Sequence, residues 1–126
     1  MKQIITMICC VGIILVSGVY EIRYLDKTAT YFMSDMEYIQ NAINNNNYEL
    51  ASEHMKNFSE SWNNVRTIWN IFVNHEEVDN IEEAMIELKN NIEFKDDSAC
   101  KINIEKIKNN VTHSAGRQKL KLDNIL

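Results

Sequence analysis

Hydrophobic positions along this 126-residue chain fall into one continuous block and four periodic seams. The block is residues 3–20 (QIITMICCVGIILVSGVY), which carry no charged side chain between Lys2 and Glu21. Beyond it, Ile22, Leu25, Ala29, Phe32, Met36, Ile39 and Ile43 stand 3, 4, 3, 4, 3 and 4 residues apart. That spacing is the apolar stripe of a single helix face. A second seam runs through Ala51, Met55, Phe58, Trp62, Val65, Trp69 and Phe72. The third is Val78, Ile81, Met85, Leu88 and Ile92, and the fourth is Cys100, Ile104, Ile107 and Val111.

Between the seams the polar residues predict turns and caps. Asn44 to Asn47 interrupt the first helix, because consecutive Asn side chains bond locally and favour a turn. Asn47 is placed to cap the second helix. Asn74, with Glu77 three residues on, reads as a capping box for the third. Asp96 or Asp97 would cap the fourth, which is expected to end near Gly116.

The seams superpose at a shift of 49 residues, pairing Phe32 with Ile81, Ile39 with Leu88, Ala51 with Cys100 and Trp62 with Val111. The register survives the connection, since Ile43 to Ala51 and Ile92 to Cys100 are both eight residues. Two helical hairpins of one design are the simplest description. The predicted architecture is all-α: a transmembrane helix over residues 1–22, then two antiparallel hairpins over 23–116, then a basic C-terminal tail over 117–126. The hairpins would form a small four-helix bundle or a hairpin repeat, because a lone hairpin cannot bury its seam. The unbroken first pattern suggests one long helix leaving the bilayer, and its strict spacing also suits self-association.

Composition agrees with this picture. The apolar fraction of 45% is that of a folded domain, and no proline with only three glycines disfavours a turn-rich β fold. Eighteen helical residues rise about 27 Å, enough with snorkelling flanks for a hydrocarbon layer of about 30 Å. The rival to a retained anchor is a cleaved signal peptide, for which Val16-Ser17-Gly18 offers small residues. A short leader ahead of the apolar block places the helical domain outside the cytoplasm, at the cell membrane. Cys9 and Cys10 lie inside the block and lack the small preceding residue of a lipid-modified cysteine. That leaves Cys100 without a disulfide partner.

Charge is divided unevenly. Residues 76–97 hold nine acids and two lysines, and residues 101–121 hold six bases and one acid. An antiparallel hairpin would return Arg117, Lys119 and Lys121 beside Glu76, Glu77 and Asp79; otherwise the basic tail would meet anionic lipid or a partner's acidic face. With a net charge of −5 the domain is a poor candidate for nucleic acid.

Little points to a reaction. His75, Glu76 and Asp79 are the best metal-ligand candidates, but metal binding needs further ligands from another helix. A first-turn role at a helix start explains the same residues. Ala51, Phe72 and Asn110 stand where a helical di-iron site would need Glu three residues before His54, His75 and His113. No phosphate loop or nucleophile elbow is present. No catalytic residue and no cofactor are assigned, and the chain is read as a non-enzyme. Trp62 and Trp69, one heptad apart, would be core together with Phe58, Ile81 and Leu88, or would serve an interaction. The alternative is a small-molecule sensor with its ligand between the hairpins near the two tryptophans.

Several residues resemble a known family. They are Tyr48 and Ala51 after the first turn, Trp62, Trp69, the run Val73-Asn74-His75-Glu76-Glu77-Val78-Asp79-Asn80-Ile81-Glu82, Leu88, Asp96-Asp97 and the closing Asn124-Ile125-Leu126. Nearly the whole chain is similar to the bacterial proteins grouped as Domain of Unknown Function 4363. The resemblance implies a small membrane-anchored helical protein with no assigned activity or cofactor. It also implies a neighbourhood of small multi-pass membrane proteins, hence a membrane-protein partner.

Overall fold

The computed structural model describes residues 1–125 and consists of four helices: α1 (Lys2–Asn44), α2 (Tyr48–Phe72), α3 (His75–Glu93) and α4 (Asp97–Ile125). Leu126 and the side chains of Leu122 and Ile125 lie outside that description, and with them the last two residues of the Asn124-Ile125-Leu126 close. α1 packs on α2 and α4, and α3 packs on α4 and more lightly on α2, so the four close into an antiparallel bundle. The architecture is the expected all-α one, in its bundle form.

Each seam becomes the buried face of a helix. Leu25, Phe32, Met36, Ile39 and Ile43 of α1 meet Ala51, Met55, Phe58, Trp62 and Trp69 of α2 in one core. Val78, Ile81, Met85, Leu88 and Ile92 of α3 and Cys100, Ile104, Ile107 and Val111 of α4 complete it. Burying a large apolar side chain contributes about 1.5–3 kcal/mol, so these stripes hold the bundle without a cross-link. All three cysteines are free.

The two hairpin turns are the same structure twice. Asn47 N–H donates to Ala42 O at 2.8 Å and Asn46 N–H to Ile43 O at 2.9 Å. Forty-nine residues later, Asp96 N–H donates to Asn91 O at 3.0 Å and Lys95 N–H to Ile92 O at 3.1 Å. Asn46 and Lys95 share a left-handed backbone at φ 56°, the usual way to satisfy the last carbonyls of a helix. Asn47 Oδ1 then accepts from Leu50 N at 3.1 Å, and Asp96 Oδ1 from Ala99 N at 3.1 Å. Asp96, rather than Asp97, is therefore the cap of α4.

Three expectations are corrected. Asn74 caps α3 by accepting from Glu76 N at 3.3 Å, but Glu77 does not complete a capping box. Its carboxylate is drawn across to the Arg117 guanidinium of α4. The fourth helix does not end near Gly116: it continues to Ile125, so residues 117–125 are helix. A single glycine costs a helix only about 1 kcal/mol, and neighbouring α1 supports the continuation. Finally, of Arg117, Lys119 and Lys121, only Arg117 is paired, among the described residues, with an acid at the start of α3. Lys119 pairs with Asp26 of α1 at 3.5 Å, and Lys121 faces Glu21. Successive residues turn by about 100° around a helix, and α4 sits between α3 and α1, so its bases are shared between them.

The two halves of α1 differ sharply. From Leu25 onward the helix is packed, whereas Ile4, Ile5, Met7, Ile8, Val11, Ile13, Ile14 and Val16 are exposed. This apolar stretch is long enough to cross a membrane, and none of it is buried in the bundle.

Candidate functional site

The two tryptophans belong to the core. Phe32 stands with its ring centre 5.2 Å from Phe58, 5.6 Å from Trp62 and 6.0 Å from Trp69, and the two indoles are 5.6 Å apart. Such tilted and edge-on contacts add to the burial energy. Trp69 Nε1 donates to Thr28 Oγ1 at 2.9 Å, and Thr28 in turn donates to the carbonyls of Tyr24 and Leu25. Trp62 Nε1 donates to Glu82 Oε1 at 3.0 Å, and Arg66 braces the same carboxylate. Phe32 packs against both indoles from within the same hairpin, with Phe58 beside it. Phe58, Ile81 and Leu88 are likewise fully buried and present no surface to a partner.

The metal candidates do not converge. His75 and Glu76 on the first turn of α3 and Asp79 at the start of the second are all exposed. Glu76 borders a polar cavity of about 260 Å³ with Asn110, His113 and Arg117 of α4, while His75 and Asp79 lie outside it. Asp79 stands three residues after Glu76 and four after His75, the spacing of helix neighbours, so a metal would still need ligands from another helix to complete a site. Among the described residues no three His, Cys, Asp or Glu side chains form a metal-binding group. Cys100 is buried beside Asp96 and Asp97, and burial together with these carboxylates pushes its thiol up to about 11. A thiol held protonated in this way is a poor nucleophile.

Two further concave surfaces combine an apolar wall or floor with charged side chains. The first lies where α2 and α3 separate. The two-residue link Val73-Asn74 holds the helices together at one end, and Trp62 reaches across to Glu82. Further along, small Ser52 and Ser59 replace bulk, and a cavity of about 320 Å³ opens over Met55 and Ile92, rimmed by Lys56 and Lys89. It adjoins a wider depression of about 500 Å³ bounded by Asn46, Tyr48, Glu49, Glu93 and Lys95. Met55 and Ile92 are core residues, each 3% exposed, so the floor is apolar while the rim is cationic.

The second lies between α1 and the end of α4. Ile14, Leu15, Gly18 and Ile22 form an apolar wall, with Glu21, Gln118 and Lys121 at one side of a cavity of about 300 Å³. Gln118 is buried. Periodicity gave no hint of either concavity, because both depend on how far apart two helices stand. Buried Asn103, Ser114 and Gln118 were missed as well. They widen the buried stripe of α4, which faces α3 and α1 together, and a search for apolar spacing passes over polar residues. With its amide turned to suit its neighbours, Asn103 donates to Glu87 Oε2 at 3.0 Å.

No curated protein and no solved structure matches the chain. The family model described as "Domain of unknown function (DUF4363)" matches residues 19–125, which takes in the whole bundle and leaves out most of the apolar stretch. The chain belongs to the DUF4363 family.

Proposed function

We propose that this chain is a single-pass protein of the cell membrane whose helical bundle stands outside the cytoplasm and holds another protein, without catalysing a reaction. The observation that carries the reading is α1 itself: an uncovered apolar segment runs without a break into the packed helix, so whatever fixes one end fixes the other. Exposed apolar residues on this scale need a covering, and a bilayer covers residues 3–20 on every side. The bundle's seams are satisfied internally, so an adhesive role falls to its surface. The groove between α2 and α3 is the best seat, with an apolar floor at Met55 and Ile92 and lysines at its rim. It suits an acidic partner segment carrying one or two apolar side chains, with the charges steering the encounter. From the end of the apolar segment at Tyr20, the groove sits roughly 20–35 Å out along α1 at 1.5 Å per residue.

A photo-crosslinking residue at Ser52 of the full chain, expressed in membranes, tests this. It is expected to give one discrete adduct that disappears with the Lys56→Glu/Lys89→Glu double variant, while the same probe at Glu105 gives none. Equal labelling from both positions, or an adduct indifferent to the charge reversal, contradicts the assignment. Release of the chain in a form lacking residues 3–20 would replace the bitopic reading with a secreted one.

A further inference from the structure

The end of α4 reaches down to the apolar segment of α1, and the register of the two helices shows how far. Lys108 Nζ meets Gln40 Oε1 at 3.4 Å, Thr112 Oγ1 meets Met33 Sδ at 3.6 Å, and Lys119 pairs with Asp26. The antiparallel progression brings Lys121 to Glu21 and into the crevice bounded by Ile14, Leu15, Gly18 and Ile22. The uncharged block ends at Tyr20, so this crevice straddles the boundary between apolar and polar surroundings. Tyr20 and Leu120 are both exposed, at 70% and 63%. An amphipathic tyrosine is at home at the depth of lipid head groups.

We propose that this α1–α4 crevice holds a single aminophospholipid, with the phosphodiester on Lys121, the primary ammonium on Glu21, and the upper acyl chain along Ile14, Leu15 and Gly18. The inference rests on the membrane reading of α1. Charge complementarity selects the occupant. Here the crevice carries one acid and one base rather than a basic patch, and the neighbouring Lys119 is already matched by Asp26. A purely anionic head group would leave Glu21 opposed, whereas a head group with both signs satisfies both side chains. Glu21 and Lys121 feel one another's charge, yet among the described residues they form no direct ion pair, which leaves both available. A primary ammonium is preferred to a quaternary one because it donates hydrogen bonds to the carboxylate. Gln118, buried on the same wall, adds an amide that can serve the phosphate.

The test uses the full chain in nanodiscs of equal parts phosphatidylcholine, phosphatidylethanolamine and phosphatidylglycerol, read by native mass spectrometry of the lipid retained on detergent release. One phosphatidylethanolamine is expected to be retained at least fivefold over either competitor. Glu21→Gln should erase its advantage over phosphatidylcholine, and Lys121→Gln should lower retention of all three, with unchanged helical circular dichroism for both. A preference for phosphatidylglycerol, equal retention of the three, or a selectivity that both variants keep overturns the proposal. Failure of the chain to enter the nanodisc overturns the membrane reading and this inference with it. Insertion without selectivity overturns this inference alone.

Discussion

The two hairpins share a backbone and divide the chemistry. At a shift of 49, Phe32, Phe58, Trp62 and Trp69 of the first become Ile81, Ile107, Val111 and Gln118 of the second. The Thr28–Trp69 hydrogen bond that ties α1 to α2 is answered by an ion pair from Glu77, the counterpart of Thr28, to Arg117. One hairpin is thus locked by large rings and a buried donor, and the other by aliphatic packing with a polar flank. The turns agree bond for bond, so the fold depends on the spacing of the seams and on left-handed turn residues, while the side chains at matched positions are free to differ. The aromatic hairpin is also the one whose first helix extends into the apolar segment.

The comparison is broken most severely at Trp69. Trp69→Ala removes a fully buried indole and should cost about 3–5 kcal/mol, whereas Gln118→Ala at the matched position should cost about 1 kcal/mol. Chemical denaturation of the two variants checks the ratio. Similar losses would mean that the hairpins are locked alike.

Thr28→Val keeps the shape and removes the acceptor of the Trp69 indole, for an expected loss of about 1–3 kcal/mol. Glu77→Gln, its counterpart, breaks a pair whose arginine is half exposed and should cost at most about 1 kcal/mol.

Smaller gains come from repairing backbone choices. A Cβ added at Gly116 meets no atom within 4 Å, so Gly116→Ala should stabilise the bundle by about 1 kcal/mol. Lys95→Gly should give a similar gain, because a lysine at φ 56° bears a steric penalty. Asn46→Gly should give less, asparagine being tolerant of that conformation. Thermal melts resolve all three.

The smallest effect concerns Asp35, whose counterpart is the buried Ala84. Burial holds the Asp35 carboxyl above its ordinary range, against the pull of His54. The folded state therefore binds this proton more tightly than the unfolded chain does. Its favourable contribution is complete below the unfolded value of about 3.9 and is lost as pH rises through the folded value. Asp35→Asn should raise the melting temperature slightly at pH 7, with the difference vanishing near pH 4.

Much of the fold was legible because it is a matter of spacing. Every residue of the third and fourth seams is buried, as are Ala51, Met55, Phe58, Trp62 and Trp69 of the second. Ile22, Val65 and Phe72 are only partly covered, each lying toward an edge of its interface. Illegible were the flanks: Ala42, Ala84, Asn103, Ser114, Ala115 and Gln118 are buried because a bundle helix faces two neighbours, not one. The partnering of the α4 bases was misread for the same reason, since the hairpin alone does not reveal that α1 lies on the other side. The candidate sites were hidden more deeply. His75, Glu76 and Asp79 form a cluster in sequence, but among the described residues no metal-binding group of three such side chains is assembled. The two concavities arise from the splay of α2 from α3 and from the reach of α4 along α1.

The central claim is that α1 is one helix joining an apolar membrane segment to the bundle. The intact mass of the chain that stays with carbonate-washed membranes tests it most directly. The account predicts a membrane-retained species that includes residues 3–20, with a mass of 14.7 kDa for the sequence as given. Recovery of the bundle in the soluble fraction, shortened by about twenty residues as a cleaved signal would leave it, would contradict it.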